Sequence, residues 1–389
     1  MPNHVRYCLL FIGILFLSAS PALADRVVVP ESPGIPLSGG SGAAPLTPNQ
    51  TAAVSTAAKY QFLPLLAVAD DPGAAPVLWP LMTSRPLAGD HTHVTRAVIL
   101  IHGADRNAED GLERLKTIAG LSASSADAPT IIFAPVFPSP LDLPVFSSII
   151  SAPEKGVAHW NPETWQFGGE SEIAPGNKKG VSSFTALDIL LLYLADSKFF
   201  PAIKDIVIAG YGRGGDMAQR YALLGHAADL LAAEKKIALR FVIGGAQSYA
   251  YLTAARPKPK SEAFTPPDAK DCPDYHNYPY GIGTLNPYGR WTAANVARQS
   301  YLTRNVVYLV GDNDASASDT NCAAKLQGES AKARAVNYDR YLQSLFDAER
   351  KTHKLMMVHG VGDDVMALWA SPCGSSALFA DGNCAGSKP

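Results

Sequence analysis

Neither sign of charge dominates this sequence. Its 33 lysines and arginines stand against 35 aspartates and glutamates, a net charge of −2. Without a basic excess, no nucleic-acid partner is expected. Long apolar runs are missing beyond the N-terminus: after Leu17 no stretch reaches the roughly 18 residues that a membrane span needs. No membrane span is therefore expected once the leader described below is removed. Cysteine is sparse, five in 389 residues, and its spacings do not resemble a zinc site. No internal repeat is visible. Residues 25–58 lack aromatic side chains entirely and are rich in Pro, Gly, Ser and Ala. Such a stretch cannot bury enough surface to offset chain entropy, so a linker or surface arm is expected there.

What is present starts with a leader. His4 and Arg6 precede an apolar run from Leu9 to Leu17, and Ala22-Leu23-Ala24 follows. That pattern predicts a secretory signal over 1–24, cleaved after Ala24, and a periplasmic or secreted protein. Cys8 leaves with it. The four remaining cysteines allow three pairings, and an exported chain favours two disulfides. Cys373 and Cys384 lie close together in the C-terminal tail and are expected to pair, leaving Cys272 with Cys322. The full chain is 47% apolar, and the remainder, 59–389, is long enough for a large core.

The organising stretch is Asp205–Tyr221, DIVIAGYGRGGDMAQRY. A short apolar strand enters a glycine-rich turn and a helical pattern begins at once. Strand-like runs recur at Arg96–Ile101, Thr130–Pro135, Leu239–Gly244, Asn305–Val310 and Lys354–Val358, with QFLPLLAV and APVLWPLM as early edge strands. Helical patterns lie between them: Leu112, Leu115 and Ile118 at helical spacing, Phe184–Leu194 behind a Ser182 or Ser183 cap, and Val336–Phe346. This alternation predicts an α/β fold with a mostly parallel, doubly wound sheet and helices on both faces. Residues 256–290, rich in Pro, Tyr and charge, predict a lid-like insertion.

Over roughly Arg96 to Phe379 the sequence resembles the α/β-hydrolase family, most closely a branch of secreted or periplasmic members. The resemblance rests on His102-Gly103-Ala104-Asp105-Arg106-Asn107 after a strand, Ser182-Ser183-Phe184 at a helix start, Gln219-Arg220-Tyr221-Ala222 after the elbow, and Gln327-Gly328. It implies a Ser, Asp, His triad in that chain order. The implied nucleophile falls on Gly212, the acid on Asp314 and the base on Asp363, so only the acid matches. His102 and Gly103 belong to the implied oxyanion segment, and Tyr211 and Arg213 flank the missing nucleophile.

Glycine offers no attacking atom, and an aspartate at the base position is acceptor-only when ionised and would face the carboxylate of Asp314. Losing triad members typically removes on the order of 10⁴–10⁶ in turnover. The expectation is an inactive hydrolase-fold protein that binds a small molecule, a glycan or a partner protein. Two alternatives stand beside it. One is a serine hydrolase with a displaced nucleophile, for which Ser171, Ser182, Ser183 and Ser248 are candidates and His359 a shifted base. The other is a scaffold or regulatory subunit tethered by 25–58. Arg213 could neutralise Asp363 or Asp314 by an ion pair. His102 is expected to hold its loop. Asp312, Asp314, Asp363 and Asp364 could hold a hard cation but read as solvated loop ends, so neither metal nor cofactor is expected. Tyr249, Tyr251, Tyr275, Tyr278, Tyr280 and Tyr288 suit a binding cleft or packing around Cys272.

Overall fold

The computed structural model describes residues 59–384 apart from 66–75, 121–128, 148, 151–155, 269, 346–351 and 381–383. The expected leader (1–24) and linker (25–58) lie outside the described residues. Eight strands form the central sheet: β1 (Gln61–Leu65), β2 (Val77–Thr83), β3 (Arg96–Ile101), β4 (Thr130–Pro135), β5 (Asp205–Tyr211), β6 (Ala238–Gly244), β7 (Asn305–Gly311) and β8 (His353–Val358). Their spatial order is β1-β2-β4-β3-β5-β6-β7-β8. From β4 to β8 every neighbouring pair is parallel, and β2 is antiparallel to both β1 and β4. The expected mostly parallel sheet is therefore present. The two early strands close one edge in the antiparallel sense.

The apolar runs sit in the middle of the sheet because both of its faces are covered. Side chains alternate between two cores. Ile99, Ile101, Ile206 and Ile208 face one, and Val98, Leu100, Val207 and Ala209 face the other. Helices α1 (Ala108–Ile118), α6 (Val365–Ala370) and α7 (Pro372–Phe379) cover the second core. Helices α2 (Ser183–Leu194), α3 (Arg213–Leu224), α4 (Ala294–Thr303) and α5 (Ala331–Leu345) lie on the first. The α5 helix begins five residues before the apolar pattern predicts, its first turn being AKARA.

Helix α2 is apolar on every side, and its one acid, Asp188, is buried. The cost of burying that carboxylate is offset by three donors. Tyr221 Oη–H and the Ala227 N–H reach Oδ1 at 2.6 and 2.9 Å, and Tyr288 Oη–H reaches Oδ2 at 2.6 Å. Tyr288 is thereby a packing residue.

Both expected disulfides form, Cys272–Cys322 and Cys373–Cys384. The first ties the 256–290 segment to Cys322. The second anchor is Arg256, 1% exposed, whose guanidinium donates to the carbonyls of Thr253, Ala255, Tyr275 and Tyr280 at 2.9–3.0 Å. It lies between the rings of Tyr251 and Tyr275, 4.3 and 4.9 Å from their centroids. Four carbonyl and two ring contacts replace its hydration, which lets a cation reside without a carboxylate beside it. Among the described residues no helix is long and apolar enough to cross a membrane.

Candidate functional site

Strand β5 delivers the chain to a sharp turn and α3 leaves it at Arg213. Gly212 sits at the apex with φ 56° and ψ −119°. Its N–H donates to the Gly244 carbonyl at 3.0 Å, and its own carbonyl receives the Asp216 N–H at 2.9 Å. The flanking glycines are demanded by packing: a Cβ on Gly210 would lie 2.2 Å from the Gly214 carbonyl oxygen, and one on Gly214 only 2.4 Å from that of Ile101. Gly212 is different. A Cβ there would meet nothing within 4 Å, so only the backbone angles favour glycine. The turn has the strand–turn–helix geometry of a nucleophile elbow, open where a side chain would stand and empty of one.

The loops after β7 and β8 run side by side. The Asn313 N–H donates to the Val361 carbonyl at 2.9 Å. This places Asp314 and Asp363 near the carboxyl end of β5. Asp314 is 2% exposed. Its Oδ1 accepts from the Ser316 N–H at 2.9 Å and Ser316 Oγ–H at 2.6 Å, while its buried Oδ2 has no partner. Asp363 accepts from Tyr211 Oη–H at 2.5 Å. Burial raises the Tyr211 hydroxyl pKa first of all, and the Asp363 hydrogen bond and the charges of Asp363, Asp314 and Asp364 raise it further, so the phenol stays protonated.

His102 follows β3 with its ring against those of Trp165 and Phe137, which stack on each other. Nε2 accepts the Phe137 N–H at 2.9 Å and Nδ1 donates to the Gly103 carbonyl at 2.8 Å. Desolvation pushes its pKa down to about 4. The imidazole is neutral, in one tautomer, with both nitrogens occupied: it holds the loop that carries Gly103.

Arg213 corrects an expectation. Its guanidinium turns to the segment before α2, donating to the Pro162 carbonyl at 2.7 Å and pairing with Glu163 at 3.1 Å, rather than to Asp363 or Asp314. That irregular segment lies along α3, so the first side chain of the helix meets it before reaching the aspartates. The four aspartates also go separate ways. Asp312 binds His359 Nδ1 at 2.7 Å and the Gly360 N–H at 2.8 Å, and Asp364 caps α6 through the N–H groups of Met366 and Ala367. Among the described residues no group of three or more His, Cys, Asp or Glu is placed to hold a metal ion. His359 is 91% exposed and paired with Asp312 rather than with Asp314.

The four candidate serines have structural work. Ser171 Oγ donates to the Glu172 carbonyl and accepts from the Val181 N–H, and Ser182 Oγ donates to the Gly168 carbonyl while capping α2. Ser183 Oγ donates to the Trp165 carbonyl, and Ser248 Oγ accepts from buried Arg220. The tyrosines also pack: Tyr249 stacks on Tyr338, Tyr251 lies edge-on to it, and Tyr275, Tyr278 and Tyr280 donate to Ala254, Phe167 and Asp319.

No family model and no curated protein matches the chain. Solved structures do. LpqC, a poly(3-hydroxybutyrate) depolymerase from Bordetella parapertussis, is 19% identical with a TM-score of 0.52, covering 86% of this chain and 95% of its own. The chain has the α/β-hydrolase fold. Poly(aspartic acid) hydrolase-1 from Sphingomonas sp. KT-1 is 18% identical with a TM-score of 0.49, over 75% of this chain and 90% of that one. At such identities the likeness speaks for the fold alone.

This α/β-hydrolase-fold protein also has a cleft, lined in part by His102, Gly103 and Tyr211, which the sequence had singled out, and in part by side chains of α1 and α6, which it had not. It occupies about 190 Å³ between α1 and α6, beside Gly103 and Tyr211. Its side chains come from segments about 250 residues apart in sequence, which no local pattern connects; the nearest hint is the polar run Gly103–Asn107 at its edge.

Proposed function

We infer that this is an exported α/β-hydrolase-fold protein whose reaction centre has been lost and which acts by binding. Gly212 stands at the nucleophile position, Asp314 at the acid position and Asp363 at the base position. The observation that carries this is the elbow: an open apex, free of any atom able to attack, where a side chain would fit. Two others support it. The acid keeps its place but has a buried oxygen with no donor, the condition expected of an aspartate that has lost its imidazole. At the base position Asp363 accepts from Tyr211 and, ionised, has no proton to donate. Export is supported by the N-terminal leader and by two disulfides, which persist in oxidising compartments. Gly103, Tyr211 and the neighbouring cleft provide the binding surface, and the volume of that cleft favours a small molecule over a glycan or a protein.

The test is restoration. Gly212→Ser and Asp363→His are made singly and together and assayed on nitrophenyl esters. The wild type and both single variants are expected to stay at the buffer rate, with the double variant at least about ten-fold above either single, because triad members act as a unit. An active wild type, or a fully active Gly212→Ser single variant, would overturn the assignment.

A further inference from the structure

The cleft between α1 and α6 carries more than its position. Its floor is apolar, built from Leu100, Leu115, Ile118, Met366 and Trp369, with the half-buried Tyr211 as one wall. Its volume of about 190 Å³ equals roughly six waters of bulk liquid, well below the usual range for drug-sized ligands. A volume of that size suits a small ligand.

The charge around it is mostly negative, and Arg106, next to Asp105, is paired with Asp142 at 2.7 Å. Asp105 and Asp110 stand in the lining. The one guanidinium there, Arg114, is occupied by Asp110 at 2.5 Å. Asp364 lies close enough to act on the same guanidinium, and with Asp363 it acts on the Tyr211 hydroxyl. His102, also in the lining, is buried, neutral and fully hydrogen-bonded. Of the lysines on and beside α1, Lys59 pairs with Glu109 and Lys116 with Glu113. The balance at the mouth is negative after Arg114 is counted. An anionic ligand would be repelled there, and a cation drawn in.

We propose that this cleft is a binding site for a small organic cation with an apolar body, an alkyl- or arylammonium. The body lies on Leu100, Met366 and Trp369, and the ammonium faces Asp105 and the carboxylates at the mouth. The Tyr211 ring offers a π face to the cation. This rests on the reading of the cleft as the binding surface, but not on the state of the elbow: Gly212 and Asp314 make none of these contacts, and of the three positions only Asp363 stands at the mouth.

The test is titration calorimetry of the mature protein with benzylammonium, against benzyl alcohol and benzoate as the neutral and anionic matches. Benzylammonium is expected to bind one to one, about ten-fold tighter than benzyl alcohol, and to weaken as salt is raised. Benzoate is expected not to bind. Asp105→Asn should weaken benzylammonium about three-fold. Val365→Trp, at a half-exposed position on the mouth (38% exposed), should abolish binding while leaving the melting temperature within a degree or so. No binding of benzylammonium, equal binding of benzyl alcohol, or undiminished binding by Val365→Trp would each overturn the proposal. Ester turnover plays no part in the assay, so the outcome is separable from that of the restoration experiment.

Discussion

Replacing Gly212 by serine asks what the empty apex is worth. Two costs are conceivable at such a position, steric and conformational, and the structure separates them. The steric cost is absent, since a Cβ at Gly212 meets nothing within 4 Å. The conformational cost remains, because φ 56° with ψ −119° is a region that residues with a Cβ rarely occupy, at about 1–3 kcal/mol. Gly212→Ser is therefore expected to lose about 1–3 kcal/mol, seen as a lower denaturant midpoint with an unchanged slope. Gly212→Ala should match it, the hydroxyl having no partner to gain. Gly214→Ala is the control in which steric cost dominates: its Cβ would sit 2.4 Å from a backbone oxygen, and it should lose more than either or fail to fold. A Gly212→Ser protein as stable as the wild type, or as damaged as Gly214→Ala, would refute the reasoning.

Three further outcomes follow from the same structure. Burial holds His102 near pKa 4 against an ordinary 6.5, a depressed value, so its contribution to stability is complete above about pH 6.5 and is lost as pH falls through about 4, on the order of 3 kcal/mol. Asp216, lifted by burial to about 7, works in the opposite sense, losing stability as pH rises. Comparing the pH dependence of melting in wild type and His102→Gln isolates the first, and an equal loss on acidification in both would contradict it. Removing the Cys272–Cys322 bond, which closes a separation of 50 residues, should cost about 4 kcal/mol on loop entropy, against about 3 kcal/mol for Cys373–Cys384 over 11. Denaturant melts of the double-serine variants give both, and a reversed order would count against the entropic account. Arg213→Ala, which loses a half-exposed ion pair and one carbonyl contact, should cost no more than about 1 kcal/mol and leave the position of Asp363 unchanged by NMR; a shift of Asp363 would place Arg213 back at the aspartates.

The elbow was legible because its signal is local: an apolar strand, glycines at fixed offsets and a helix within 17 residues. The sheet was legible for the same reason, each buried parallel strand appearing as a short continuous apolar run. The disulfides were legible from the even number of cysteines left after the leader and from the closeness of Cys373 and Cys384 in the tail. What failed to appear depends on contacts between distant segments. Arg213 meets Glu163 from 50 positions away, in a segment with no periodicity to place it. Tyr211 and Asp363 are 152 apart, and nothing in either neighbourhood announces the other. Tyr249, Tyr251 and Tyr288 illustrate a second limit: aromatic residues with a hydroxyl satisfy core and cleft equally well in sequence, and only the fold assigns them to the core. Arg256 is a third, a buried cation held by carbonyls, which have no sequence signature at all.

The proposed loss of the reaction centre means that no side chain among the described residues is poised to attack. The most direct measurement exposes the purified wild-type protein to a fluorophosphonate and reads the intact mass. The account predicts an unchanged mass under conditions that fully modify an active serine hydrolase, with the Gly212→Ser/Asp363→His variant gaining one adduct at position 212. A stoichiometric adduct on any residue of the wild type would contradict it.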